Sequence, residues 1–211
     1  SAVKHSLKRM LKIQNEIDLP PLGPGWAGAV MGLGISSTLI DVHVTPLLGP
    51  APSKAMLGAA TILAISLVFG FLKHHNPGFY AADMPAWGMV SMGILSLGSA
   101  YSLIYDAWSV HTLCWAIGTV LGAVTCIRFL MFLICGHPPA PAFTWGLPLV
   151  APMVAATSSA QLAPHAGEWG SIVHSIGVIS FALAWLTAVP TFAFVYLRTI
   201  PKVPTSFAAT A

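Results

Sequence analysis

Apolar residues in this chain do not alternate with polar ones. They run on, in stretches near the ~20 residues that a helix needs to cross a bilayer core. Six such stretches fall at about 25–41, 54–72, 84–105, 110–135, 144–163 and 171–198. Between them stand LLGPAPS, HHNPGF, GHPPAPAF and APHAGEWG, whose prolines and glycines read as turns and leave no room for a soluble domain. The first stretch, built on Trp26–Ser37 (WAGAVMGLGISS), is marginal in length, but a version of it returns twice. Trp87 opens WGMVSMGILSLG and Trp145 opens WGLPLVAPMVAA, at intervals of 61 and 58 residues. Met31-Gly32 and Met92-Gly93 hold the same place after their tryptophans, and the third copy keeps a small residue there, Ala151, with Pro152 after it. A unit of about sixty residues repeated in this way is an architecture in itself.

Each unit is predicted to be a helical hairpin. A Trp-led helix runs one way, and a longer helix returns to end near Lys73, Arg128 or Arg198. The odd helices carry small residues and prolines: Gly28, Gly32, Gly34, Gly88, Gly93, Gly98, Pro148 and Pro152. The returning helices are bulkier, as in ILAISLVFGFL, IRFLMFLI and FALAWL. Small residues permit close helix approach, while bulky apolar ones suit contact with lipid. The expectation is therefore an all-α polytopic membrane protein of six transmembrane helices in three repeated hairpins, at about 25–72, 84–135 and 144–198, with odd helices inner and even helices outer. The membrane domain spans 21–205, flanked by a segment 1–20 and a tail 206–211.

Composition agrees with a membrane setting. Hydrophobic residues fill 56% of the 211 positions and charged residues 7%, against roughly 25% charged in soluble domains. A water-exposed surface cannot be built from that supply, and the formal charge of +3 says nothing of nucleic acid, which is not expected as a partner. In the segment 1–20, Val3, Leu7, Met10 and Ile17 fall near one helical face, and Lys4, Lys8, Arg9 and Lys12 on the other. That suits a cytoplasmic amphipathic helix on an anionic leaflet, or equally a solvated basic tail. No cleavable signal peptide is visible before Pro20. With the N-terminus inside, eight of the nine Lys and Arg residues lie toward the cytoplasm, and only Lys54 is outside. The expected location is the plasma (inner) membrane. Cys114, Cys126 and Cys135 share one hydrophobic run, imply no disulfide framework and are expected as buried small hydrophobes.

AGAVMGLGISS resembles the first-helix motif of the tellurite-resistance/dicarboxylate transporter family, with Leu33 where threonine is usual. That family includes fungal malate and sulfite transporters and plant guard-cell slow anion channels. The run W-G-L-P-L-V-A-P-M-V-A-A resembles its fifth-helix pattern, and the order of helices matches across residues 20–205. The resemblance implies ten helices in five hairpins, inner helices around an anion pathway, and frequent assembly as trimers. This chain supplies the first three hairpins, and Ile200-Pro-Lys-Val-Pro-Thr-Ser-Phe looks like the start of a fourth. The implied function is membrane transport of small anions, an organic dicarboxylate such as malate or an inorganic anion. The alternative is an accessory or structural subunit of a larger membrane complex. A haem or metal membrane enzyme is the third reading.

The inner helices have no Lys, Arg, Asp or Glu in their central turns, where a charge would cost several kcal/mol. An anion path would have to use hydroxyls and backbone groups freed by Gly and Pro. Ser36, Ser37, Ser91, Ser96 and Thr157 are then the polar lining, shaped by Gly32, Gly34, Gly93, Pro148 and Pro152. The competing reading of each is ordinary small-residue helix packing. The transport reading fails if Gly32, Gly93 and Ala151 all face lipid. His43, His111, His165 and His174 gather toward the outer side. His111 and His174, at the starts of the fourth and sixth stretches, could span a cofactor. Neither has a helical i,i+3 or i,i+4 ligand partner, so both are expected to be interfacial, and no cofactor or metal is expected. His74, His75 and His137 sit in turns. Asp41, Asp83, Asp106 and Glu168 occupy separate connections, which suits solvation and not acid–base catalysis; no enzyme is expected. Trp26, Trp87 and Trp145 are predicted as anchors at the inner interface.

Overall fold

The computed structural model describes residues 23–73, 84–135 and 143–199. All regular structure among them is helical. The long helices are α1 (Ala27–His43), α2 (Ala51–Lys73), α3 (Ala86–Tyr105), α4 (Trp108–Cys135), α5 (Gly146–Leu162) and α6 (Gly170–Thr199). The segment 1–20, the tail 206–211 and the HHNPGF turn lie outside the described residues.

Among the described residues, five stretches are long and apolar enough to cross a membrane: Pro24–His43, Ala51–Phe71, Ala86–Tyr105, Trp108–Cys135 and Gly167–Leu197. The expected span at 144–163 comes out as α5, with 17 residues. At ~1.5 Å per residue that is about 25 Å, short of the ~30 Å bilayer core. α1 has the same 17 residues and reaches spanning length with its leading 3-10 turn, so what sets α5 apart is composition: Pro148, Pro152, Thr157, Ser158, Ser159 and Gln161 thin its apolar run between 3-10 turns at Phe143–Trp145 and Ala163–His165.

Turn chemistry sets two of the connections. The α1–α2 link holds a four-residue helix, Thr45–Leu48, that hydropathy alone did not predict. It ends at Gly49, whose φ of 79° and ψ of 175° suit only glycine. The α3–α4 link is just Asp106 and Ala107, and Asp106 takes the left-handed φ of 54° that stops α3.

α3 is the centre. It packs on α1, α4 and α5, while α2 packs on α1 and α6 on α5. Half of its apolar window is buried, against 22–28% for the other four. Glycine makes this possible at two contacts. A Cβ on Gly88 would lie 2.6 Å from the Leu147 carbonyl oxygen on α5, and one on Gly93 would lie 3.0 Å from that of Ala27 on α1. Large apolar side chains point outward instead from α2, α4 and α6, among them Ile62, Phe69, Val120, Ile134, Leu186 and Leu197. In lipid that exposure carries no hydrophobic penalty.

One anchor expectation is corrected by the packing. Trp145 does not face lipid or water as an anchor would: it is buried with Met84, Cys126, Phe129, Leu149, Ala188 and Val195. The 3-10 turn before α5 folds its indole inward, edge-on to Phe129 with ring centres 6.0 Å apart. Trp26 and Trp87 are half-buried, Trp87 against Phe71 at 5.8 Å.

Candidate functional site

The ten lining residues read from the sequence do not share one chamber. Gly34, Gly93 and Ser96 meet where α1 crosses α3, and a Cβ on Gly34 would lie 3.1 Å from Ser96 Oγ. Ser91 lies where α3, α4 and α5 converge, against Gly122. Pro148 and Pro152 are fully buried on α5. Ser37 is buried and Ser36 half-buried. Gly32 and Thr157 are exposed, and nothing stands within 4 Å of a Cβ built on Gly32. Of the three residues that could have faced lipid together, Gly93 and Ala151 are buried. Gly93 lines a cavity of about 90 Å³ between α1, α2 and α3 whose walls are apolar. Thr157 lines a separate groove of about 290 Å³ along α5 and α6, with Met153, His174 and Phe181.

Most of these hydroxyls give their protons to carbonyls. Ser37 donates to Gly34 O at 2.7 Å, Ser96 to Gly93 O at 3.0 Å and Thr157 to Val154 O at 2.9 Å. Ser91 reaches across to Gly118 O on α4 at 2.7 Å. By contrast, Thr119 Oγ1 on α4 is buried with no partner among the described residues. Pro152 adds no donor either. Its missing N–H leaves the Pro148 carbonyl without its helical partner, so what it frees is an acceptor.

The most organised polar cluster is one that the sequence reading passed over. His111 is not interfacial: it is wholly buried in the first turn of α4. The two-residue α3–α4 turn sets it opposite the last turns of α3, where Ser102 Oγ lies 2.9 Å from Nδ1. Ser158, near the end of α5, puts its Oγ 2.8 Å from Nε2, and Ser99 Oγ stands 3.4 Å from the same nitrogen. Beside it, Trp115 Nε1 donates to Ser159 Oγ at 2.7 Å. The cluster is closed by Trp108, whose ring faces His111 at 5.9 Å and stacks flat on exposed His165 at 3.5 Å. A sequence signal existed in the Ser99/Ser102 pair and the Ser158-Ser159 pair. Nothing in the spacing said that three helices would bring them to one imidazole.

This geometry bears on the cofactor reading. Both His111 nitrogens are engaged by serines, which leaves no lone pair for a metal or haem iron. His174 faces the α5–α6 groove. Among the described residues no three His, Cys, Asp or Glu side chains come together as a metal site, and all three cysteines are free. The expected burial of the cysteines is met at Cys126 and not at Cys135, which is exposed. The acids are scattered as expected, with one difference. Asp41 is not simply solvated, because the Thr45–Leu48 helix folds the chain back and its Oδ1 accepts from Ser53 Oγ at 2.8 Å and Thr45 Oγ1 at 3.2 Å. Asp106 and Glu168 are exposed, and Asp83 lies outside the described residues. Lys54 sits 5.3 Å from the Tyr105 ring centre, a cation–π contact.

A family model described as voltage-dependent anion channel matches residues 21–210. No curated protein and no solved structure matches the chain significantly.

Proposed function

The chain belongs to the voltage-dependent anion channel family, and from that premise we propose that it carries small anions across a membrane along its glycine- and proline-rich helices α1, α3 and α5. The cargo is a dicarboxylate such as malate or a small inorganic anion. The observation that carries this reading is the enclosure of α3 between α1 and α5 through glycine contacts, with serines at the contacts and no Lys, Arg, Asp or Glu on α3 or α5. A neutral seam carries no intramembrane counter-charge that would trap an anion, and its hydroxyls would have to leave their carbonyl partners to line the path. On this reading Gly34, Ser36, Ser37, Ser91, Gly93, Ser96, Pro148 and Pro152 shape the path, while Gly32 and Thr157, which face open space and a separate α5–α6 groove, stand apart from the α3 contacts. Exposed apolar side chains on α2, α4 and α6 suit contact with lipid, as do Ile35, Leu39 and Val42 on α1, so the enclosed helix is α3. With its flanking 3-10 turns, α5 gains enough length to serve as the sixth span, making three hairpins within 21–205.

The same reading places the protein in the plasma (inner) membrane, N-terminus cytoplasmic, as a homotrimer. The test is flux. Purified chain in sealed proteoliposomes is expected to pass chloride, nitrate, sulfite or malate and to exclude potassium. A folded, reconstituted chain that passes none of these anions sinks the transport reading.

A further inference from the structure

We propose that His111 is a positioning residue that fastens the end of α5 to α3 while its imidazole is neutral, so that anion flux through the chain responds to acid. This rests on the transport reading above. The bonding assigns the tautomer. Ser102 Oγ gives its own proton to Ser99 O at 2.9 Å, so toward the ring it can only accept, and Nδ1 must carry the hydrogen. Nε2 then holds the lone pair, and Ser158 Oγ–H donates to it across 2.8 Å. One neutral ring thus bridges two inner helices, with its proton toward α3 and its lone pair toward α5.

A second proton taken from water occupies Nε2. Ser158 can no longer donate there, so the bond to α5 must reverse or break, while the bond to Ser102 survives. The surroundings do nothing to hold the charged ring. α3 and α5 present hydroxyls and carry no Lys, Arg, Asp or Glu, and no carboxylate lies on α4 or α6. The titratable neighbours are His165, across the Trp108 ring, and Cys114, beside the ring's own backbone at Gly98. Asp106 is exposed in the turn that precedes α4. The histidine can add only repulsion, and a neutral thiol adds no negative charge. On α5, Pro152 leaves a missing ladder bond between the helix start and Ser158, so once the ring lets go the end is tethered by the Trp115–Ser159 bond to α4 and no longer to α3 through Ser158.

Flux of radiolabelled chloride is measured in proteoliposomes of the wild type, His111→Gln and Ser158→Ala, at about pH 7.5 and about pH 3.5, the lower value set well below the ordinary imidazole range because nothing around the buried ring favours its charge. Wild-type flux is expected to change about fivefold in acid, the scale of one hydrogen bond of ordinary strength being reversed or lost. His111→Gln keeps an amide near the place of Nε2 but cannot titrate, and its flux is expected not to respond to pH. Ser158→Ala lacks the bridge and is expected to show one flux at both values. A folded His111→Gln with the wild-type response overturns the proposal, as does wild-type flux indifferent to pH. If nothing is transported at either pH, the transport reading fails on its own, and deuterium exchange over residues 158–162 decides the matter. Faster exchange in the wild type than in His111→Gln, in acid only, supports the clasp; equal exchange at both values overturns it.

Discussion

Gly32 and Gly88 look alike in the repeat, each a small residue in a Trp-led helix, and the structure gives them opposite roles. A methyl group on Gly88 would meet the Leu147 backbone at 2.6 Å, where no side-chain rotation can relieve the overlap. Gly88→Ala should therefore lower stability by about 1–3 kcal/mol, read as an earlier unfolding midpoint in detergent. Gly32→Ala meets open space and replaces a poor helix former, so it should leave the midpoint unchanged or raise stability by up to ~1 kcal/mol. Equal losses from both would mean that α3 and α5 are not in contact at Gly88. The serines divide in the same way. Ser37 and Ser96 bond within their own helices, whereas Ser91 spans to α4 and His111 joins Ser102 to Ser158. Residue type alone could not separate these, because a hydroxyl's partner is chosen by what the neighbouring helix presents.

At the scale of elements, helix length followed hydropathy closely, and helix ends followed turn chemistry. α4 and α6, the longest helices, came out within about two residues of the expectation at either end. The short helix Thr45–Leu48 did not, because it is made by Pro46 and closed by Gly49 and not by an apolar period. Its consequence is the Asp41–Ser53 bond that ties the end of α1 to the first turn of α2. Gly49→Ala forces a side chain into a backbone region kept for glycine, at a cost of about 1–3 kcal/mol. The expected result is a loosened α1–α2 pair, seen as raised deuterium exchange across residues 41–53. Unchanged exchange there would show that the turn is not held in this conformation.

For the whole molecule, the positive-inside asymmetry makes a prediction that needs no transport assay. An epitope added before Ser1 should be protected in sealed right-side-out vesicles and become reachable only on permeabilisation; free access in intact vesicles would reverse the proposed orientation. The sequence by itself determined that this is a helical, multi-pass membrane protein related to anion channels. Composition, run length and the recurring Trp-Gly pattern are local properties, and they survive without knowledge of the partners. Tertiary structure decided what the helices do to one another. It put α3 at the centre, turned Trp145 inward, scattered the expected lining over several contacts, and moved His111 from an assumed interface into a cage of serines on α3 and α5. These outcomes depend on which helix faces which, and at what height. A mostly apolar sequence leaves that choice open, since nearly every face of its helices is hydrophobic enough to be lipid-exposed or buried.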